Sequence, residues 1–129
     1  MESTVANTLP KRERLCGKKG IESLLAKGRH GSEGAIRYIY SFDNGETFNR
    51  ILVSVPKKLF KRAVKRNLLK RRIRESWRRL KGGLCSPTGM DILFIYTSKV
   101  ILNYQEIYDC ISGIVTRLSE KSKQHGKQE

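Results

Sequence analysis

Residues 60–80 read FKRAVKRNLLKRRIRESWRRL, and this stretch decides the fold because it predicts one long amphipathic helix. Its apolar side chains recur at intervals of four, four and three residues, at Leu69, Ile73, Trp77 and Leu80. Residues at this spacing share one side of a helix, so they form a stripe that can pack on the rest of the protein. The glycines that follow, Gly82 and Gly83, predict the end of the helix.

The segment Lys57–Lys81 carries most of the net charge of the chain. It contains 13 lysine or arginine residues and one acid, Glu75, so it holds +12 of the formal net charge of +15. Pairs of like charge four residues apart, such as Lys61 and Lys65, destabilise a helix, and a solvated surface would mix both signs. We therefore expect a polyanion as partner. A membrane surface is not expected, because the apolar stripe is narrow and is needed for the core.

The sequence before this segment predicts one helix and two strands. The helix spans Leu15–Lys27, and the glycine-containing residues Arg29–Gly34 are expected to form a loop. Alternating side chains predict a strand at Ile36–Phe42, in which Tyr38 and Tyr40 share a face. A second strand is predicted at Phe48–Val55. The turn signal Asp43-Asn44-Gly45 between the two strands favours a hairpin.

The sequence after the segment predicts a buried strand and a last helix. Met90–Tyr96 is an almost unbroken apolar run, as in a central strand that is covered on both faces. Asn103 can cap the next helix, with Glu106 in capping-box position. The fold class is α+β: a single domain with a small, mostly antiparallel sheet and the order α-β-β-α-β-α. We expect a flexible N-terminus at 1–9, the domain at 10–118 and a polar tail at 119–129.

Composition limits the location and the chemistry. No apolar stretch precedes a small-residue cleavage site in the N-terminal residues, so we expect no signal peptide there. No run approaches the ~20 apolar residues that cross a membrane. Its three cysteines are widely spaced, which favours free thiols in the cytoplasm. With two histidines and no Cys-x-x-Cys, a zinc site is not expected. No cluster of acids and histidines suggests catalytic residues or metal ligands on this chain.

The order of residues inside the basic segment is more specific than its charge. Residues 63–75 read AVKRNLLKRRIRE, which resembles the signature of the bacterial ribonuclease P protein subunit, Ala-Val-x-Arg-Asn-Arg-x-x-Lys-Arg. Four further stretches resemble the same family in the same order: Leu9–Leu15, Val53–Lys58, Asp91–Ile95 and Tyr104–Glu106. The resemblance covers about residues 9–118.

This resemblance implies a function. Members of the family bind a large catalytic RNA, and the two together remove the 5′ leader from precursor tRNA. The RNA carries out the hydrolysis with Mg²⁺, so no residue of this chain is expected to be catalytic and no metal is expected on it. The implied partners are the catalytic RNA and precursor tRNA, with neither a membrane nor an obligate protein partner.

The resemblance also implies site residues and a topology. The residues expected to face the catalytic RNA are Arg62, Lys65, Arg66, Asn67, Lys70, Arg71 and Arg74. The leader is expected in a cleft between the first helix and the sheet, lined by Ile21, Leu25, Tyr38 and Tyr40. Unpaired bases can stack on tyrosine rings. Ordinary packing under a helix would also explain the two tyrosines. The family further implies a left-handed β-α-β crossover, as in a domain of a small-subunit ribosomal protein, where general rules favour the right-handed form.

Three positions depart from the family pattern, and two other functions compete. Leu68 stands where the family has arginine, and Ile21 and Leu25 stand where it often has aromatic residues. The main alternative is an RNA-binding protein without catalysis, such as a ribosomal protein or RNA chaperone; it shares the composition but leaves the ordered signature unexplained. A nuclease that acts without RNA would need its own acid, base or metal ligands.

Overall fold

The computed structural model describes residues 18–42, 49–83 and 89–127. These ranges contain three α-helices and four strands, in chain order α1 (Lys18–Lys27), β1 (Arg29–Glu33), β2 (Ile36–Phe42), β3 (Arg50–Ser54), α2 (Ala63–Leu80), β4 (Met90–Tyr96) and α3 (Tyr104–Lys127). A short 3-10 helix, Lys81–Gly83, follows α2. The α+β class is confirmed, and the order gains one strand to become α-β-β-β-α-β-α. The predicted turn at residues 43–45 and residues 15–17 of the predicted first helix lie outside the described ranges.

The four strands form one mixed sheet in the order β1-β2-β4-β3. β2 is antiparallel to β1 and β4, whereas β3 is parallel to β4. The predicted hairpin between β2 and β3 is therefore wrong, because β4 lies between them. A turn signal shows that the chain reverses, but the strand that can be buried on both faces takes the centre. The parallel pair β3 and β4, joined through α2, is the β-α-β unit for which the crossover is expected.

The segment Arg29–Gly34, predicted as a loop, contains the edge strand β1. Its side chains are mostly polar and exposed, so they lack the apolar alternation that marks a half-buried strand. β1 and β2 form the hairpin of this fold, since Glu33 pairs with Ile36 across the two residues between them. Gly34 has φ +58°, a value that favours glycine, and this permits the tight turn.

The main core lies on the sheet face covered by α2 and α3. The predicted stripe of α2 is confirmed, because Leu69, Ile73 and Trp77 are completely buried there. The Trp77 ring lies 5.8 Å from the ring of Phe94 on β4. α2 begins at Ala63 rather than near Phe60, and the side chain of Phe60 packs in the same core before the helix starts. The stripe therefore fixes which side of α2 faces away from the protein.

The opposite face of the sheet is covered by α1 alone among the described elements. Leu24 packs there against Ile39 and Leu93. α1 stops at Gly28, as predicted. The Gly28 N–H donates to the Leu24 carbonyl at 2.7 Å. A Cβ atom on Gly28 would lie 2.5 Å from Ile39, so glycine permits the close approach of helix to sheet. Among the described residues, this smaller contact covers only part of the sheet face.

The start of α3 is capped as predicted. The Glu106 N–H donates to Asn103 Oδ1 at 2.9 Å, and the Asn103 N–H donates to Glu106 Oε1 at 3.5 Å. This reciprocal pair satisfies two amides at the helix start. α3 continues through Lys127, so the segment expected to be a polar tail is helical up to that residue.

Candidate nucleic-acid interface

The outer side of α2 brings together the residues predicted to bind RNA. Five of the seven are exposed and two, Arg66 and Lys70, are half-buried; the exposed ones are Arg62, Lys65, Asn67, Arg71 and Arg74. Arg62 is the residue that precedes the helix, and the first turn has no acid. Because Leu69, Ile73 and Trp77 turn inward, the packing of α2 leaves the five exposed side chains accessible, with half-buried Arg66 and Lys70 at their edge. We call these seven residues the basic surface.

The one acid of α2, Glu75, forms ion pairs with arginines near the C-terminal end of the helix. Glu75 accepts hydrogen bonds from Arg78 and lies 3.6 Å from the Nε of Arg79. The hydrogen bond from Arg78 lowers the pKa of Glu75, and the same bond raises the pKa of Arg78. Within the described ranges, no carboxylate pairs with Lys65 or Arg71. The first half of α2 therefore keeps the stronger positive potential.

Two arginines of α2 bind backbone carbonyls. Arg72 donates to the Leu102 carbonyl and so links α2 to the segment before α3. Arg66 donates from Nη1 to the carbonyls of Phe60 and Lys61, both at 2.8 Å. Leu68, the position that departs from the family pattern, is half-buried beside the basic surface.

The residues predicted to line one leader cleft lie on opposite faces of the sheet. Tyr38 and Tyr40 are only 5% and 4% exposed and belong to the core under α2 and α3, with ring centres 5.8 Å apart. Burial raises the pKa of Tyr40. Ile21 packs with Leu24 on the other face, and Leu25 is 51% exposed. The joint cleft is thus a wrong prediction. Strand alternation shows which residues share a face, but not which helix covers that face.

In the part of the chain that the structure describes, the face that carries α1 is only partly covered and is partly apolar. Leu52 and Ile95 are partly buried there beside Ile21. Ile95 pairs with Arg37 of β2 and also lines a groove of about 610 Å³ at the end of the sheet. We call this the open groove; it is lined by Arg37, Pro56, Lys58, Leu59, Ile95, Tyr96, Thr97 and Lys99. Sequence reasoning missed Arg37, although it stands on the strand face opposite the tyrosines, which is the signal that could have found it.

The buried acid of the sheet, Asp91, serves a structural contact. Asp91 accepts from Arg50 Nε at 2.8 Å and from Nη2 at 3.0 Å, which ties β4 to β3. In the part of the chain that the structure describes, no group of three or more His, Cys, Asp or Glu side chains could hold a metal ion. No helix of the described residues is long and apolar enough to cross a membrane.

Comparison with known proteins identifies the family. The family model for ribonuclease P matches residues 9–119. The ribonuclease P protein component of Petrotoga mobilis is 36% identical over 115 residues, covering 88% of this chain and 94% of that protein. The chain belongs to the ribonuclease P protein family. The ribonuclease P protein component of a Pseudanabaena species is 32% identical over 84% of this chain and 93% of its own length.

Solved structures of ribonuclease P proteins share the fold. The Thermotoga maritima protein superposes with a TM-score of 0.71 at 26% identity, over 82% of this chain and 97% of that one. The Staphylococcus aureus protein gives a TM-score of 0.70 at 22% identity, over 81% and 93%. Family membership makes this chain a component of an endoribonuclease built from RNA and protein that processes tRNA. It also decides against the ribosomal-protein alternative.

Proposed function

We propose that this ribonuclease P protein uses two separate surfaces for two RNAs. The basic surface of α2 binds the catalytic RNA, and the open groove with the neighbouring α1 face binds the single-stranded 5′ leader of precursor tRNA. The observation that carries the proposal is the position of the exposed cations. Lys65, Arg71 and Arg74 are exposed on α2, while Arg37, Lys58 and Lys99 line a partly apolar groove at the end of the sheet.

Each surface suits its proposed partner. Lysine and arginine neutralise phosphates, and the counterions that are released add affinity to a large folded RNA. The leader needs cations along its backbone and apolar contacts for its bases. Leu59 and Ile95 in the open groove supply such apolar contacts. α1 has no aromatic residue on which a base could stack. Ile21 and Leu25 can contact a base but cannot stack as an aromatic ring does.

Mg²⁺ is assigned to the RNA. Asp91, the buried carboxylate of the described sheet, is held by Arg50, and the other described acids do not converge on one point. The protein then supports cleavage by adding positive charge near the RNA, which lowers the Mg²⁺ concentration that the holoenzyme needs.

A cleavage assay tests this function. The protein is mixed with a 5′-extended tRNA precursor and low Mg²⁺, with and without the cognate catalytic RNA. We expect accurate removal of the leader that requires the RNA and is stimulated by the protein. Cleavage by the protein alone, or no stimulation by the protein at low Mg²⁺, would contradict the proposal.

A further inference from the structure

The segment between β3 and α2 forms a compact turn that carries four exposed cations. The Pro56 carbonyl accepts from the N–H groups of Leu59 and Phe60, at 3.1 and 3.4 Å. Phe60 is 7% exposed, and its ring lies 6.0 Å from that of Tyr96, so it anchors the turn in the core. The exposed cations of the turn are Lys57, Lys58, Lys61 and Arg62. Their direction depends on how the turn joins α2.

Arg66 is the side chain that makes this junction. Its Nη1 donates to the carbonyls of Phe60 and Lys61, both at 2.8 Å, and both carbonyls precede the first residue of α2. Arg62, at the N-cap position, makes no side-chain capping bond. Arg66 is half-buried, in contrast to exposed Lys65 and Asn67 beside it. Both hydrogen bonds leave one nitrogen, so lysine would lose reach rather than donors: its ammonium has three donors but ends a shorter side chain.

We infer that Arg66 is a positioning residue that holds the Pro56–Arg62 turn against the first turn of α2. In this arrangement Lys61 extends the basic surface beyond Arg62, and Lys58 stays at the open groove. Without the junction, the like charges of Lys61, Arg62 and Lys65 would drive the turn away from the helix. The consequence for RNA binding rests on the function proposed above.

Hydrogen exchange of the free protein tests the junction itself. Arg66→Lys keeps the charge but loses the paired contacts, and Arg71→Lys is the matched control on the same helix. In Arg66→Lys we expect the amides of Leu59 and Phe60 to exchange about tenfold faster, the usual effect of losing a hydrogen bond from a charged group. Arg71→Lys should leave them unchanged. Unchanged exchange in Arg66→Lys, or an equal increase along the whole chain, would overturn the inference.

Assembly with the cognate catalytic RNA tests the consequence. Because both variants keep their charge, a residue that only contacts phosphate should tolerate lysine. We expect Arg66→Lys to weaken assembly about tenfold at fixed salt, in line with the lost junction, and Arg71→Lys to weaken it much less. Equal effects of the two variants would overturn the inference. Failure of the proposed function would look different, because the wild-type protein itself would then not bind the RNA. In that case the hydrogen-exchange result would still test the junction.

Discussion

The two faces of the sheet differ in how completely they are covered. The α2 and α3 face has a continuous aromatic core that includes Tyr40, Trp77 and Phe94. On the α1 face only Leu24, Ile39 and Leu93 are buried among the described residues, and the open groove reaches this face at Ile95. The closed face provides stability, because its apolar surface is removed from water. The open face has room for a ligand. Aromatic residues on a strand therefore do not by themselves indicate where RNA binds.

The largest expected effect comes from the closed face. Tyr40→Ala should lower the free energy of unfolding by about 3–5 kcal/mol, because it removes a buried ring from the core. Urea denaturation measures this loss. Tyr40→Phe is the control and should cost about 1 kcal/mol, for the hydrogen bond with Arg29. If Tyr40→Ala kept its stability but lost affinity for a precursor leader, Tyr40 would belong to the RNA site and the contrast between the faces would fail.

A substitution on the open face should lower the affinity for RNA and leave stability nearly unchanged. Arg37 is exposed at the open groove, so Arg37→Ala should change the free energy of unfolding by no more than about 0.5 kcal/mol. Affinity for precursor tRNA with a long leader should fall about fivefold, with a salt dependence flatter by about one unit. Binding of mature tRNA, which lacks the leader, is the control and should not change. An equal loss for both tRNAs would mean that Arg37 does not contact the leader.

The local elements of this fold could be predicted from the sequence, whereas their arrangement could not. The stripe from Leu69 to Trp77, the capping pair Asn103 and Glu106 and the run at Met90–Tyr96 are local patterns, and the structure confirms each. The place of β4 between β2 and β3 results from contacts between distant parts of the chain. β1 was missed because a polar edge strand is defined by its partner rather than by its own residues.

The same distinction applies to the candidate site. The cations of α2 follow from helical spacing, so the sequence predicts the basic surface. The open groove combines side chains of β2, β4 and the turn before α2, such as Arg37, Ile95 and Lys58, which are far apart in sequence. The contact of Arg66 with two carbonyls could not be predicted, because it depends on where the helix begins.

The basic surface should be separable from both faces of the sheet. Lys70→Ala should weaken assembly with the catalytic RNA and flatten its salt dependence by about one unit or less. The free energy of unfolding should stay nearly constant. The preference for precursor over mature tRNA should also remain, because Lys70 is not part of the open groove. An unchanged salt slope would mean that Lys70 does not contact phosphate.

Leu68 tests the edge of the basic surface. Leu68→Arg restores the cation expected from the family pattern, so assembly with the catalytic RNA should tighten and its salt slope should steepen by up to about one unit. Leu68→Gln is the control for removing the apolar side chain without adding charge. Weaker assembly together with a lower free energy of unfolding would mean that the half-buried Leu68 is needed for packing.

The smallest effect is expected at Glu75. Its pKa is lowered from 4.5 by the hydrogen bond from Arg78, so its stabilising effect is present above that pH and is lost as the pH falls through the folded-state value. Because the side chain is 39% exposed, Glu75→Gln should cost less than about 0.5 kcal/mol at neutral pH. Thermal unfolding at neutral and acidic pH measures this, and the two proteins should converge in acid. A difference that grew in acid would contradict the role of the pair.

The central position of β4 sets the order in which a newly synthesised chain can fold. β2 can pair with β1 as soon as both have left the ribosome, but β3 pairs only with β4 and must wait for it. The segment Lys57–Lys81 is also complete before residue 90, so α2 emerges without the sheet on which its stripe packs. Pairing between distant strands is slow compared with helix formation. During that interval the nascent protein is a polycation attached to a ribosome that is itself largely RNA. We therefore expect closure of the sheet to compete with binding of α2 to ribosomal RNA.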